Sequence, residues 1–214
     1  MSRSWRMARC WSRTIGTGRS TGSAMASRRR AAALAIFLLG PVQVASAQEG
    51  FEAVQEQCVA CHGTGVSLTD EVPSLGGIDA YYALLQLVAF RSGNRPGDAM
   101  QALTTDLTDN DLRAAAAWIA GLPPPQVPDT PPPPDAEAAA LAQEHRCNSC
   151  HGADYRGGKQ IPPLKNQRED YLRKALLDFK AERRLGSRAA MVEIAQALSE
   201  AEIDLLARYL ATLP

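Results

Sequence analysis

Two pentapeptides with the same pattern contain the most reactive side chains of the sequence. Each has two cysteines separated by two residues and followed at once by a histidine, at residues 58–62 and again at 147–151. This is the attachment pattern of c-type haem, because the two thiols can reach both vinyl groups of one porphyrin and the imidazole then lies under the iron. The sequence therefore predicts two covalently bound haem c groups. Their attachment and axial residues are Cys58, Cys61 and His62 in the first pentapeptide and Cys147, Cys150 and His151 in the second.

A zinc site and a redox dithiol are the two alternatives for such cysteine pairs. A zinc site needs a second pair of ligands nearby, and outside the pentapeptides the chain has only one histidine, His145. A thioredoxin-like dithiol needs a surrounding βαβ pattern, and no segment of the sequence alternates as a strand would. Two copies at a domain-sized separation favour haem over both alternatives.

Methionine is the residue predicted to bind the opposite face of each iron. The sequence has five methionines, and three of them belong to the N-terminal leader described below. The other two, Met100 and Met191, follow one pentapeptide each at equivalent positions, in a predicted loop. A thioether opposite an imidazole is typical of low-spin electron-transfer haem and raises its potential. Ordinary core filling is the alternative for each methionine, while His145 lies too close to Cys147 to reach the opposite face.

Residues 1–47 differ in composition from the rest of the chain. They hold eight arginines and no acidic residue, with an apolar run at 31–40 followed by the small residues 45–47. This order is typical of a secretory signal peptide, so we expect cleavage near Ala47 and no transmembrane anchor in the mature chain. An uncleaved anchor is the alternative, although the run is shorter than the roughly 20 residues of a membrane span. Met25 is a second candidate for the start of translation.

Without its leader the chain is acidic. Residues 48–214 contain 15 Lys and Arg against 23 Asp and Glu, a formal net charge of −8. Such a chain lacks the basic surface that nucleic-acid binding requires, so nucleic acid is excluded as a partner. The charge is concentrated in residues 48–122, which carry a net charge of −7, whereas residues 135–214 are neutral. We expect the first half to be steered toward a basic partner surface.

The chain after the leader is an internal duplication. An offset of 89 residues superimposes the two pentapeptides, and the offset becomes 91 after a two-residue insertion. Matching over so long a stretch predicts two homologous domains, 48–122 and 135–214. The matched pairs include Pro73/Pro162, Tyr82/Tyr171, Phe90/Phe179, Arg95/Arg184, Met100/Met191 and Trp118/Tyr209.

Several of these pairs have two interpretations. Pro73 and Pro162 follow their histidines by 11 residues, and they serve either as plain loop prolines or to orient the imidazole, whose second ring nitrogen needs an acceptor. Arg95 and Arg184 either pair with haem propionates or are exposed. The aromatic pairs are predicted to be core contacts between helices.

The segment 123–134 is rich in proline and separates the two copies. Proline fixes φ and lacks an amide donor, so an extended polyproline II linker is expected. A proline-rich binding motif is the alternative. Each copy is predicted to be all-α from its helical periodicity, with Thr108 and Ser199 as N-caps of capping boxes. The predicted helices are 51–61, 78–92 and 109–121 in the first copy and 136–150, 168–183 and 200–212 in the second.

The sequence from about residue 50 to residue 214 resembles the dihaem cytochrome c4 family, in which two class I cytochrome c domains follow each other. The first copy departs from the family pattern, with Gly77 and Ile78 where the second copy has Asn166 and Gln167. The features that carry the resemblance are both Cys-x-x-Cys-His-Gly stretches, Ile161 to Leu164 with Gln167 and Tyr171, Arg183 and Arg184 before Met191, and the terminal segment from Leu198 to Tyr209.

The resemblance implies an all-α fold of two tandem class I cytochrome c domains joined by the proline-rich linker. It also implies a periplasmic electron carrier of a respiratory chain, exchanging electrons with a terminal oxidase, a dehydrogenase or a cytochrome complex. Peripheral membrane association is compatible with that role. A cytochrome subunit of a periplasmic dehydrogenase complex is the alternative function. A dihaem enzyme would need an open position on one iron, whereas the sequence offers one methionine to each.

Overall fold

The computed structural model describes residues 48–126, 135–184 and 189–214, with side chains from residue 50 onward in the first helix. The predicted leader at 1–47 and residues 127–134 of the predicted linker lie outside the described residues. Within the described part of the chain no helix is long and apolar enough to cross a membrane.

The described residues are helical, and their only strand-like pairing is an isolated bridge between Gly158 and Ile161. The all-α prediction is therefore confirmed. The helices of the first copy are α1 (Gln48–His62), α2 (Ala80–Arg91), α3 (Asp98–Thr104) and α4 (Asp109–Ala120). Those of the second copy are α5 (Ala136–Glu144), α6 (Cys147–His151), α7 (Glu169–Lys180), α8 (Ala189–Ala197) and α9 (Glu200–Ala211).

Capping boxes begin the last helix of each copy, as predicted. The Thr108 side chain accepts a hydrogen bond from the Asp111 backbone N–H, and the Asp111 carboxylate accepts one from the Thr108 N–H. Ser199 and Glu202 make the same reciprocal pair at the start of α9. Each box satisfies two backbone donors that a helix start otherwise leaves unpaired, which explains why both helices begin where the sequence indicates.

The two copies have separate cores built in the same way. In the first, α4 packs against α1 and α2, with Leu112 fully buried at the centre. Phe51 of α1 contacts Trp118 of α4 at a ring-centroid distance of 5.7 Å. In the second, Ile203 is fully buried, and Leu206 of the same helix is 2% exposed. Both lie on the buried face of α9.

Two details of the helix predictions are wrong. The helix expected at 136–150 is two helices, because Arg146 between them adopts a left-handed conformation with φ of 53°. The loop expected around Met100 and Met191 is helical in both copies, since Met100 lies in α3 and Met191 in α8. Both helices are too short for the apolar periodicity of a sequence to reveal reliably.

Reciprocal contacts join the two copies. Arg95 donates a hydrogen bond to the Tyr171 hydroxyl of the second copy at 3.0 Å, and the equivalent Arg184 is hydrogen-bonded to Tyr82 of the first. Gln86 accepts from the guanidinium groups of Arg95 and Arg184 at 2.8 and 2.9 Å. Because the arginines and the tyrosines are repeat-equivalent pairs, this interface has the self-complementary pattern of a two-fold dimer within one chain. The contacts between helices predicted for Tyr82 and Tyr171 therefore lie at the boundary between the two copies.

A second set of contacts between the copies is one-sided. The segment that leads into α7 reaches the loop between α1 and α2 of the first copy. The first copy has Ile78 at the position of Gln167, so it cannot return the same contact. The pairs are Gln167 with the Ser74 backbone, Arg168 with the Asp70 carboxylate, and Asp170 with the Glu71 backbone N–H.

Candidate haem-binding sites

The helix ends carry the four thiols predicted to attach haem. Cys58 and Cys61 stand three residues apart near the end of α1, and Cys147 and Cys150 have the same spacing in α6. Residues at this spacing lie on one face of a helix. The first cysteine of each pair is half-buried and the second is exposed, and all four thiols are free of disulfides. Burial raises the pKa of the Cys58 and Cys147 thiols.

The two histidines are held in one orientation by a backbone carbonyl. His62 and His151 are each 6% exposed, and each Nδ1 lies within hydrogen-bond distance of a proline oxygen. The distances are 2.8 Å to Pro73 O and 2.9 Å to Pro162 O. A carbonyl oxygen can only accept, so Nδ1 carries the proton and Nε2 keeps its lone pair. Each imidazole can therefore bind iron through Nε2. In other metal sites, an acceptor on the second ring nitrogen orients the histidine in the same way.

Burial also fixes the protonation state of these rings. Desolvation lowers the pKa of both His62 and His151, and the proline carbonyl hydrogen bond opposes that effect without overcoming it. The positive charge of Arg95 lowers the pKa of His62 further. Both rings are therefore neutral at neutral pH, which is the form that binds a metal.

A tight turn after each histidine brings the proline back to it. Gly63 has φ of 64°, and a Cβ there would lie 2.1 Å from the Val66 carbonyl oxygen. The equivalent Gly152 also has a positive φ, 86°. Only glycine adopts this conformation without strain, so the Cys-x-x-Cys-His-Gly pattern includes the residue that reverses the chain. Of the two interpretations of Pro73 and Pro162, the structure supports orientation of the imidazole.

The methionines are placed alike in the two copies. Met100 and Met191 are both half-buried, and each lies in the helix that follows the middle helix of its copy. Met100 packs against the core of the first copy, and its backbone oxygen accepts a hydrogen bond from the Thr104 hydroxyl at 2.8 Å. This equivalence is compatible with axial ligation and with core filling, and ligation is taken up below as a proposal.

The arginines are not simply exposed. Arg184 is 8% exposed. The Arg95 guanidinium lies 4.4 Å from the centroid of the Phe90 ring, and that of Arg184 lies 4.3 Å from the centroid of Phe179. Such cation–π stacking holds both guanidinium groups in place. Each arginine also reaches a tyrosine of the other copy, a contact between residues far apart in sequence that only folding brings together.

The donor set of each copy fits haem c. It consists of two free thiols at attachment spacing and a neutral imidazole with its Nδ1 proton already engaged, and the same copy contains one methionine. Haem bound there would supply one-electron exchange at iron, while the chain attaches it and orients its histidine. No three His, Cys, Asp or Glu side chains of the described residues are grouped as a metal-ion site, so the zinc alternative gains no support.

Comparisons with known proteins agree with this assignment. Residues 45–119 match a family model described as cytochrome c oxidase, cbb3-type, subunit III, and residues 136–214 match the cytochrome c model. These two matches confirm the prediction of tandem cytochrome c domains, each with its own haem-binding motif.

Relatives match both domains at once. A thiosulfate dehydrogenase electron acceptor of Stutzerimonas stutzeri is 32% identical over 178 residues, covering 77% of this chain and 82% of the relative. A cytochrome c4 of Pseudomonas aeruginosa is 30% identical, covering 83% and 94%. The structure of Acidithiobacillus ferrooxidans cytochrome c4 superimposes with a TM-score of 0.65 at 28% identity, covering 75% of this chain and all of that one. By this degree of identity over nearly whole chains, the protein belongs to the cytochrome c4 family and is a dihaem c-type cytochrome that transfers electrons.

Proposed function

We propose that the protein is a periplasmic electron carrier whose two haems are each bound by histidine and methionine. His62 and Met100 are the axial ligands in domain 48–122, and His151 and Met191 are those in domain 135–214. The observation that carries the proposal is that both imidazoles are oriented in the same way, since each donates a hydrogen bond from Nδ1 to a proline oxygen, that of Pro73 or Pro162. One methionine follows each at an equivalent position.

This ligand set suits a carrier better than an enzyme. With both axial positions taken by protein side chains, no position on iron is open for a substrate. A low-spin iron with the same ligands in both oxidation states needs little rearrangement when an electron arrives or leaves. The thioether also favours the reduced state and raises the potential. A dihaem peroxidase, in contrast, would need one iron with an open or openable position.

The ligation is tested by optical spectroscopy of methionine variants of the holoprotein. The wild type should show the methionine–iron charge-transfer band of two low-spin haems. Met100→Ala and Met191→Ala should each remove half of that band and produce a high-spin component. Met100→His is the matched control, because it removes the same share of the band but keeps a low-spin haem. An unchanged band in either alanine variant would refute the assignment for that haem.

The location is a separate part of the proposal. The leader at 1–47 has the charged, apolar and small-residue regions of a signal peptide, and covalent haem c attachment suits an exported chain. We expect the mature protein to begin near Gln48, after cleavage at Ala47, with the proline-rich segment 123–134 as the linker between its domains. N-terminal sequencing of the protein from a periplasmic fraction would reveal the cleavage site. An intact leader on membrane-bound protein would support an anchor instead.

A dehydrogenase is the partner class with specific support. One relative is named for accepting electrons from thiosulfate dehydrogenase. We therefore propose a periplasmic dehydrogenase as electron donor, with a terminal oxidase or another cytochrome as acceptor. Mixing the oxidised protein with a thiosulfate dehydrogenase and thiosulfate should reduce both haems within seconds. Stable copurification with the dehydrogenase would favour a subunit of its complex, whereas turnover without copurification would favour a diffusing carrier.

A further inference from the structure

One peptide group of the first domain connects the second domain to an axial histidine. The peptide bond between Pro73 and Ser74 contributes both the Pro73 oxygen and the Ser74 N–H. Its oxygen lies 2.8 Å from His62 Nδ1. Its N–H donates a hydrogen bond of 2.8 Å to Gln167 Oε1 of the second domain. A chain of two hydrogen bonds therefore runs from Gln167, through one amide, to the ring of His62.

The contact between Gln167 and Ser74 is built for a fixed geometry. The Gln167 amide also donates from Nε2 to the Ser74 carbonyl oxygen at 2.8 Å, so both of its polar ends are used. Ser74 is 1% exposed and Gln167 is 6% exposed. The Ser74 hydroxyl accepts from the Ser67 backbone N–H at 3.1 Å, which fixes the same loop from its other side. Water is excluded from these bonds, so each polarises the next more strongly than it would in solvent.

The second domain has no equivalent of this connection. The residue that matches Ser74 there is Pro163, which has no N–H to donate. The residue that matches Gln167 in the first domain is Ile78, which has no amide. The oxygen that accepts from His151 therefore belongs to an amide that no side chain can polarise through its nitrogen. The two histidines share their local geometry. They differ in the amide whose oxygen accepts from the ring, because only the amide next to His62 has an N–H that a side chain can bind.

We propose that Gln167 is a positioning residue for His62, through which the second domain sets the electron-donating strength of the first domain's axial imidazole. An amide whose N–H donates to an acceptor has a more negative carbonyl oxygen. A more negative oxygen draws the Nδ1 proton of His62 and makes Nε2 a stronger donor. A stronger donor favours oxidised iron and lowers the potential of that haem.

The docking of the domains is thereby linked to the redox state of one haem. If the Gln167 contact stabilises the oxidised form, linkage requires that oxidation of the first haem strengthens the contact by the same factor. The asymmetry also gives the duplicated chain a device for separating two otherwise similar potentials, so that electron transfer between the domains has a preferred direction.

The test is an NMR-monitored redox titration of the holoprotein, which follows each haem separately. Gln167→Leu removes both hydrogen bonds to Ser74 without changing charge. We expect it to shift the equilibrium distribution of one electron between the haems toward the first haem by about 1.5-fold to fivefold. That range corresponds to part or all of the net free energy of one hydrogen bond. In the reduced protein the His62 Nδ1–H resonance should move upfield, and that of His151 should stay in place.

Two further variants keep the inference falsifiable if docking itself is disturbed. Tyr171→Phe is the matched control, since it removes a different hydrogen bond between the domains, the one from the Arg95 guanidinium to the Tyr171 hydroxyl, without changing the charge of the protein and leaves the Ser74 amide intact. It should not move the His62 proton. Gln167→Glu offers the Ser74 N–H a charged and therefore stronger acceptor, so it should move the His62 proton downfield. The inference is overturned if Gln167→Leu leaves that proton in place, or if Tyr171→Phe moves it equally.

The inference rests on the proposed axial role of His62, and the same spectra separate the two. If His62 is not an iron ligand, its ring protons in the wild-type reduced protein will lack the large upfield shifts that the haem ring current produces. That result would refute the ligation. Ring-current-shifted His62 signals that do not respond to Gln167→Leu would refute only the role of Gln167.

Discussion

Asp170 is a charged residue at the contact between the domains, and its loss tests that contact. Its carboxylate accepts from the Glu71 backbone N–H at 2.9 Å and from the Arg168 guanidinium at 2.7 and 3.0 Å. The Tyr171 backbone N–H donates to it at 2.7 Å. Asp170→Asn removes the charge and weakens most of these bonds while keeping the size of the side chain.

The magnitude follows from the pKa of this carboxyl group. The Arg168 hydrogen bonds in particular lower the pKa of Asp170 from 3.8 to about 2. A shift of that size corresponds to at most about 2.5 kcal/mol of folding free energy. The Asp170 side chain is 33% exposed and that of Arg168 is 25% exposed, so solvent screens the interaction. We therefore expect a loss of about 1 kcal/mol for Asp170→Asn at neutral pH.

The effect has a defined dependence on pH. Because the pKa of Asp170 is lower in the folded than in the unfolded protein, its contribution is fully present well above pH 3.8. The contribution declines as the pH falls toward about 2, where the folded-state carboxyl group takes up its proton. The difference in stability between wild type and Asp170→Asn should therefore be largest above about pH 5, should be small near pH 2 and should vanish below it.

The assay is urea unfolding of the holoprotein at several pH values, followed by tryptophan fluorescence and circular dichroism. Asp154→Asn is the matched control, because Asp154 pairs with Arg156 on the surface of a single domain, with side-chain exposures of 58% and 61%. Its effect should lie within about 0.5 kcal/mol at every pH. Equal losses for the two variants, or a loss for Asp170→Asn that is undiminished at pH 2, would refute the reasoning.

Three further predictions address the helix starts, the turn behind the histidine and the acidic domain. Thr108→Ala and Ser199→Ala should each cost about 1 kcal/mol in urea unfolding, because each removes a capping box. Gly63→Ala should reduce covalent haem loading, measured by mass spectrometry, since a Cβ there meets the Val66 oxygen; Gly158→Ala, with open space around it, should load normally. Because residues 48–122 are acidic, reduction by a basic partner should slow as the salt concentration rises. Stopped-flow kinetics measure this rate, and a rate that does not depend on salt would refute the predicted role of segment 48–122.

The two domains are equivalent in sequence pattern but not in their surroundings. Arg95 and Arg184 exchange equivalent contacts with the tyrosines of the opposite domain. The segment around Gln167, in contrast, contacts the first domain without receiving a matching contact in return. A duplicated carrier with two identical environments would have no preferred direction for its electron, so an asymmetry of this kind is what the second domain can add to the function.

Several predictions from the sequence needed no knowledge of the tertiary structure. The haem motifs are contiguous, and their chemistry depends on spacing within a single helix turn. The capping boxes at Thr108 and Ser199 are equally local, because a side chain three residues away completes each one. The duplication was visible because both copies kept the same residues at a nearly constant offset. Local patterns and repeats are therefore what the amino-acid sequence determined by itself.

The tertiary structure decided which residues that are distant in the sequence contact each other. Pro73 could be a loop proline or the partner of His62, and only the folded turn at Gly63 brings its oxygen within 2.8 Å of the ring. The break at Arg146 and the contact of Gln167 with Ser74 have no sequence signature, because neither follows from periodicity. Contacts between residues more than 90 positions apart depend on how the two domains dock, and that is settled by the packing of the whole chain.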